Sequence, residues 1–475
     1  MLHQFGYLPS GWLIFAVIAV SGFFAFVAGR GRAMAFDTSA AFAVNSRPNY
    51  HGYFLAMSTV APAAIVLLGQ TLFSETLVRS LLAGDLPSGF ADLGAAARAQ
   101  YIDRIAEAAD LGAGVAARLG EQDTLFAAVV DRFVTLKGGV NLGALLLALG
   151  SAAGGFLWAR RQLAAPFRAR QKVEGGIQWL LFLCAAIAIA TTAGIVLSLF
   201  IESLRFFAVQ PFWTFLFGLE WNPQGDAEFA SFGAIPLFFG TFVIAFIAMC
   251  VAAPIGLYAA IYLSEYASHR VRSIAKPLLE VLAGIPTVVY GFFALLVVAP
   301  AVRAGAVWIN GLPFVPDEFL AASSSNALAA GLVMGVMIVP FVSSLSDDVI
   351  NAVPQSLRDA ALAMGATPSE TIKDVVMPAA LPGVIAALLL GVSRAIGETM
   401  IVVMAAGQRP AMTLDPTSEI TTITVQIVAL LTGDSEFDSP KTLSAFALGF
   451  VLFAVTLIFN LIALRVVQRY RERYD

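Results

Sequence analysis

Nine apolar runs, each close to the length of a membrane span, set what this 475-residue chain can fold into. They fall near 11–29, 53–74, 138–158, 177–200, 233–260, 278–302, 325–345, 380–405 and 443–464. About 20 apolar residues in a helix cross the roughly 30 Å of bilayer hydrocarbon. Within hydrocarbon every backbone N–H and C=O needs a partner inside the protein, and a helix supplies one within its own segment. Soluble domains carry about 25% charged residues, whereas this sequence carries 13% and is 59% hydrophobic. The expected class is an all-α integral membrane protein whose surroundings are membrane lipid.

Composition excludes several functions. A net charge of -4 gives no basis for nucleic-acid binding. Cys184 and Cys250 lie in separate apolar runs and read as packing or lipid-facing residues rather than a disulfide. The three histidines are scattered, so no metal site and no cofactor are expected. None of the lysines at 137, 172, 276, 373 and 441 follows a glycine, which rules out a Walker A phosphate loop.

Basic residues alternate between connections. The segments 30–52, 159–176, 261–277, 346–379 and 465–475 hold most of the Lys and Arg; the other short connections hold only Arg205, Arg303, Arg409 and Lys441. The positive-inside rule puts the first set in the cytoplasm, with the N-terminus outside and the C-terminus inside. The first run lacks a basic lead and is followed by Arg30-Gly31-Arg32, so it reads as a retained helix rather than a signal peptide. A long outside connection near 75–137 carries Ile102, Ile105 and Ala109 at helical spacing, which predicts an amphipathic helix there. A basic linker, 161–176, divides the chain into an N-terminal extension of three helices, 1–160, and a six-helix core, 177–475.

The eighth run contains "SRAIGETM" (393–400). An Arg at the centre of a membrane helix costs roughly 2.5–3.5 kcal/mol on insertion scales, so Arg394 needs a partner or a cargo. In one continuous helix Arg394 and Glu398 share a face. The pair then either neutralises itself, tying the helix to a neighbour, or holds a guanidinium ready for an anion, whose oxygens it matches bidentately. Ser393 and Thr399 are hydroxyl donors or simply bond their own helix. Glu280, near the start of the sixth run, is a second acid, either a gate on the path or an interface charge. Gly284, Pro286, Gly291 and Pro340 are kink and close-packing positions. Gly331 and Gly335 form a small-residue pair suited to packing inside the chain or to a seam between subunits.

The segment 354–383 reads as two short cytoplasmic helices around a turn. Leu357, Ala360, Ala361 and Met364 form an apolar stripe, and Gly365 is placed to end the first helix in a left-handed conformation. Thr367, Pro368 and Glu370 restart the chain with a capping box.

In spacing, Asp359-Ala360-Ala361, Gly365, Val375, Met377 and Pro378 resemble the EAA loop of ABC importer permeases. Asp replaces Glu, Val replaces Ile and Met replaces Leu. Four further stretches, "GLYAAIYLSEYA" (256–267), "LLEVLAGIPTVVYGFF" (278–293), "SRAIGETMIVVMAAG" (393–407) and "EITTITVQIV" (419–428), are similar to PstC-type permeases of the phosphate-specific importer. After Gly397-Glu398-Thr399 this chain continues Met400-Ile401-Val402, where the sister permease typically has Ala-Pro-Leu. The likeness covers about 177–475, and "SRPNYHGYF" (46–54) is similar to the extension on long bacterial versions. It implies a type I (MetI-like) ABC importer permease in the bacterial inner membrane, forming half of a phosphate path and not itself an enzyme. The path residues it implies are Arg394, Glu398, Ser393, Thr399 and Glu280; ATPase coupling falls to Asp359, Ala360, Ala361, Gly365, Val375, Met377 and Pro378. The implied partners are a second permease (PstA type), ATPase subunits (PstB type) and an outside phosphate-binding protein (PstS type). The alternatives are a permease for another oxyanion, sulfate or molybdate, and a proton-coupled secondary transporter. An EAA loop argues against the latter, which has no ATPase to dock.

Overall fold

The computed structural model describes residues 10–38, 45–84, 102–106, 124–164, 166–223, 230–316, 319–433 and 439–471. Among the described residues, 9 helical stretches are long and apolar enough to cross a membrane, one for each apolar run. Two compact units divide the chain, Met1–Ile189 and Ala190–Asp475. The division falls inside one continuous helix, Ala169–Val209, so residues 169–176, read as linker, are helical.

The first unit holds α1 (Ser10–Thr38), α2 (Pro48–Gly84), α3 (Thr124–Gln162) and the beginning of α4 (Ala169–Val209). A buried amide pair joins α2 to α3, with Gln70 Nε2 donating to Asn141 Oδ1 at 3.0 Å. Such side-chain bonds serve between membrane helices because lipid competes with neither partner. Residues 102–106 are helical, and Ile102 and Ile105 pack on Val78, Leu82, Val129 and Phe133. The stretch read as an outside connection, 75–137, therefore includes the end of α2 and the start of α3. Apolar length measures how much helix lipid covers, and these helices continue past it. Ala109 lies outside the described residues.

The second unit contains the rest of α4, then α5 (Phe212–Phe217) and a two-stranded antiparallel ladder pairing Trp221–Asn222 with Ser231–Phe232. It continues through α6 (Ile235–Ile261), α7 (His269–Ala283), α8 (Thr287–Phe293) and α9 (Ala299–Asn310). After these come α10 (Ala327–Ala352), α11 (Gln355–Ala363), α12 (Pro368–Thr371), α13 (Met377–Ile396) and α14 (Met400–Ala405). Two more helices, α15 (Ile423–Gly433) and α16 (Pro440–Arg471), complete the unit. Its core centres on α6 and α10, where Ile244, Ala248 and Ala252 meet Met334, Ile338 and Val342.

The Gly331/Gly335 pair lies in this interface. A Cβ at Gly331 would come within 2.6 Å of Ile247, and one at Gly335 within 2.8 Å of the Ala248 carbonyl oxygen. The pair packs helices inside the chain. Overpacking a close interface costs about 1–3 kcal/mol. Gly335→Leu is therefore expected to lower the thermal unfolding midpoint of the detergent-solubilised protein. Gly305→Ala, whose added Cβ meets nothing within 4 Å, should not lower it.

Two apolar runs are broken. The sixth is interrupted at 284–286, and its span begins at Thr287 rather than near 278. Pro286 has no N–H and disfavours helical backbone at Ile285, which favours a break between α7 and α8 at this point. The eighth run is interrupted at 397–399, between α13 and α14.

A cavity between α7, α10 and α13

α10 presents Met337, Pro340, Phe341, Ser344 and Asp347 at three- and four-residue steps, which is one helical face. α7 presents Lys276, Leu279, Glu280 and Ala283 in the same way. These faces, with Leu263, Ser343 and Arg394, line an open cavity of about 250 Å³.

α7 is amphipathic and is anchored through charge. Its N-cap Ser268 accepts a bond from the Val271 N–H at 3.4 Å. Arg272 Nη2 reaches both oxygens of Asp347 at 3.1 Å, and Lys276 Nζ reaches Asp347 Oδ2 at 2.9 Å and Asp348 Oδ1 at 3.3 Å. Asn351 Nδ2 adds a 2.8 Å bond to Asp347 Oδ1. Asp347 is only 2% exposed, a setting in which a carboxylate needs such compensation. The hydrogen bond to Asp347 raises the Lys276 pKa above the ordinary lysine value. A raised value in the folded state keeps this contribution whole at neutral pH and removes it only as pH climbs past the lysine range.

Arg394 occupies the last turn of α13, where the negative end of the helix dipole favours a cation. Among the described residues no carboxylate pairs with it. Its guanidinium lies over the Phe341 ring, 5.5 Å from the centroid, with Nη2 3.5 Å from the Met337 sulfur. Both contacts position the group and leave its charge unneutralised. Ser343, 1% exposed, lines the same cavity with an Oγ that has no hydrogen-bond partner among the described residues.

The expected Arg394–Glu398 pair is absent. α13 ends at Ile396, so the two residues do not lie one turn apart on a continuous helix. Glu398 instead caps α14, accepting from the N–H groups of Met400 at 3.0 Å and Ile401 at 3.3 Å. Its own carbonyl accepts from Thr424 Oγ1 at 2.9 Å, which ties the break to the "EITTITVQIV" stretch. Thr399 is the N-cap residue of α14 and makes no side-chain capping bond. Neither it nor Ser393 lines the cavity, whereas Glu280 does. Glu280 belongs to α7, ahead of the sixth span rather than just inside it. Sequence reading missed Ser343, Phe341 and Asp347; an adjacent acid pair, Asp347-Asp348, at the end of an apolar run was the available signal.

In the 354–383 segment, α11 and α12 flank Gly365, whose φ is +91°. The Ala366 N–H bonds the Ala361 carbonyl at 3.1 Å and the Gly365 N–H bonds that of Leu362 at 3.0 Å, a Schellman turn. The capping box forms in full, with Thr367 N–H on Glu370 Oε2 at 2.8 Å and Glu370 N–H on Thr367 Oγ1 at 3.3 Å. The Thr367 N–H bond lowers the Glu370 pKa, so this contribution is complete at neutral pH and is lost as pH falls through the lowered value. α11 buries none of its residues, and Leu357, Leu362 and Met364 stand exposed. Of the remaining positions, Asp359 accepts from Gln355 at 3.2 Å, Val375 lies in the π-helical turn Ile372–Val376, and Met377 and Pro378 open α13. Arg358 fastens α11 to its neighbours, reaching Glu265 at 2.9 Å and the Ile350 carbonyl at 2.8 Å.

Residues 252–472 match the family described as the inner membrane component of binding-protein-dependent transport systems. Residues 13–191 match a family described as phosphate ATP-binding cassette transporter. A probable ABC transporter permease protein of Bacillus subtilis, YqgH, is 33% identical over 283 residues, covering 59% of this chain and 86% of that protein. The phosphate transport system permease protein PstC of Xylella fastidiosa (strain Temecula1) is 33% identical over 267 residues, covering 54% and 80%. The chain belongs to the PstC-type permease family. PstC of Mesorhizobium japonicum, 30% identical over 300 residues and covering 61% and 88%, is a further relative. In this permease the first unit corresponds closely to the 13–191 match, and the cavity lies within the 252–472 match.

Proposed function

We propose that this chain is the permease of an ATP-driven importer of inorganic phosphate, and that the anion passes by Arg394. The observation that carries this is an unneutralised guanidinium lining a largely apolar cavity between α7, α10 and α13, in a chain of the PstC-type family. A guanidinium fork matches phosphate oxygens bidentately, and its charge offsets that of the anion. The alternatives of sulfate or molybdate fit the same fork. The family relatives named for phosphate favour phosphate.

ATP hydrolysis belongs to a partner. The exposed apolar side of α11 and the rigid turn at Gly365 suit a helix that docks in a groove of an ATPase subunit. Arg358 then passes motion to α10 through the Ile350 carbonyl. The charge distribution supports a cytoplasmic position for this loop and the C-terminus, with the N-terminus outside. A second permease completes the path, and an outside binding protein delivers the anion.

The test is purification through a tag on this chain. A second permease and an ATPase subunit should accompany it, and ATP hydrolysis should rise when phosphate-loaded binding protein is added. Recovery of the chain without an ATPase, from membranes that contain the whole system, would contradict the proposal.

A further inference from the structure

We propose that Glu280 selects the oxyanion held at Arg394, accepting a hydrogen bond from a protonated oxyanion and repelling a fully ionised one. This rests on the phosphate reading of the cavity and adds a specificity residue to it. The argument begins with which charges in the cavity are already committed. Lys276 is bound to Asp347 and Asp348, and Asp347 is bound to Arg272, Lys276 and Asn351. That leaves Arg394 and Glu280, which line the same cavity and have no ion-pair partner among the described residues. The Ser343 hydroxyl, buried and without a hydrogen-bond partner among the described residues, belongs to a residue lining the same cavity. Glu398, the other acid of the region, has its carboxylate on two backbone N–H groups and does not line the cavity.

An ionised carboxylate only accepts hydrogen bonds. At neutral pH inorganic phosphate and arsenate keep at least one O–H, and sulfate keeps none. Phosphate therefore gives Glu280 a donor, while Arg394 and the Ser343 hydroxyl serve its other oxygens. Sulfate satisfies Arg394 equally well but meets Glu280 with like charge and no proton between them. A charge-assisted hydrogen bond on one side and a repulsion on the other separate the two anions by roughly tenfold or more. Glutamine removes the repulsion and adds an N–H donor.

The experiment uses the purified importer complex without the outside binding protein, so that protein's selectivity does not enter. Thermal unfolding midpoints are followed against phosphate, arsenate and sulfate at constant ionic strength. In the unmodified complex, phosphate and arsenate should protect at concentrations roughly tenfold or more below sulfate. In Glu280→Gln the gap should close because sulfate gains, and Glu280→Asp, which keeps a carboxylate, should retain it. If the Gln variant does not assemble, Glu280→Ser is read in the same way. A gap unchanged in Glu280→Gln, with all protection lost in Arg394→Gln, would overturn the selectivity role and leave the Arg394 reading standing. Protection unchanged in Arg394→Gln would remove that reading and this one together.

Discussion

Arg394→Gln should abolish phosphate uptake in a protein that still inserts and assembles. The guanidinium has no carboxylate partner among the described residues, only the Phe341 ring and the Met337 sulfur. Its replacement breaks no ion pair, and taking a charge out of a membrane helix lowers the insertion cost by about 2.5–3.5 kcal/mol. The loss therefore falls on the anion. Hydrogen bonds to charged groups contribute about 1.5–3 kcal/mol each, so losing a bidentate pair lowers uptake by roughly a hundredfold or more. Radiolabelled phosphate uptake, normalised to the permease present in the membrane, measures this. Uptake near the unmodified rate in a well-expressed Gln variant would return Arg394 to a packing role.

Gly365→Asp should uncouple hydrolysis from transport while leaving the cavity intact. At a φ of +91° a side chain is strained, by about 1–2 kcal/mol. A Cβ there meets nothing within 4 Å, so the effect comes from the backbone and the new charge rather than from a clash. Straightening the turn would break the paired bonds from Gly365 and Ala366 that close α11. The expected result is weaker co-purification of the ATPase and lost stimulation of hydrolysis, with anion protection of the permease unchanged. Normal stimulation would show that motion is transmitted elsewhere.

The spans were legible because hydropathy counts residues that lipid must cover, and the local chemistry of 365–370 was legible because turns and caps depend on near neighbours. The helix breaks were not. Gly284-Ile285-Pro286 and Gly397-Glu398-Thr399 each sit inside a long apolar run, so a count of apolar length passes over both, and only Pro286 and the Gly-Glu-Thr step marked them. The Arg394–Glu398 pairing failed for that reason, since a four-residue spacing places side chains together only on an unbroken helix. The anchoring of Asp347 was illegible on other grounds. Its cations lie 71 and 75 residues earlier in the chain, and no local spacing brings them together.

Phosphate entry into sealed vesicles carrying the reconstituted importer and its binding protein decides whether this is an ATP-driven phosphate permease. With membrane potential and pH gradient collapsed by ionophores, uptake should continue, require ATP inside the cytoplasmic-side compartment, and stop in the Arg394→Gln variant. Uptake driven by an imposed pH gradient without ATP, or ATP-driven uptake that ignores Arg394, would contradict it.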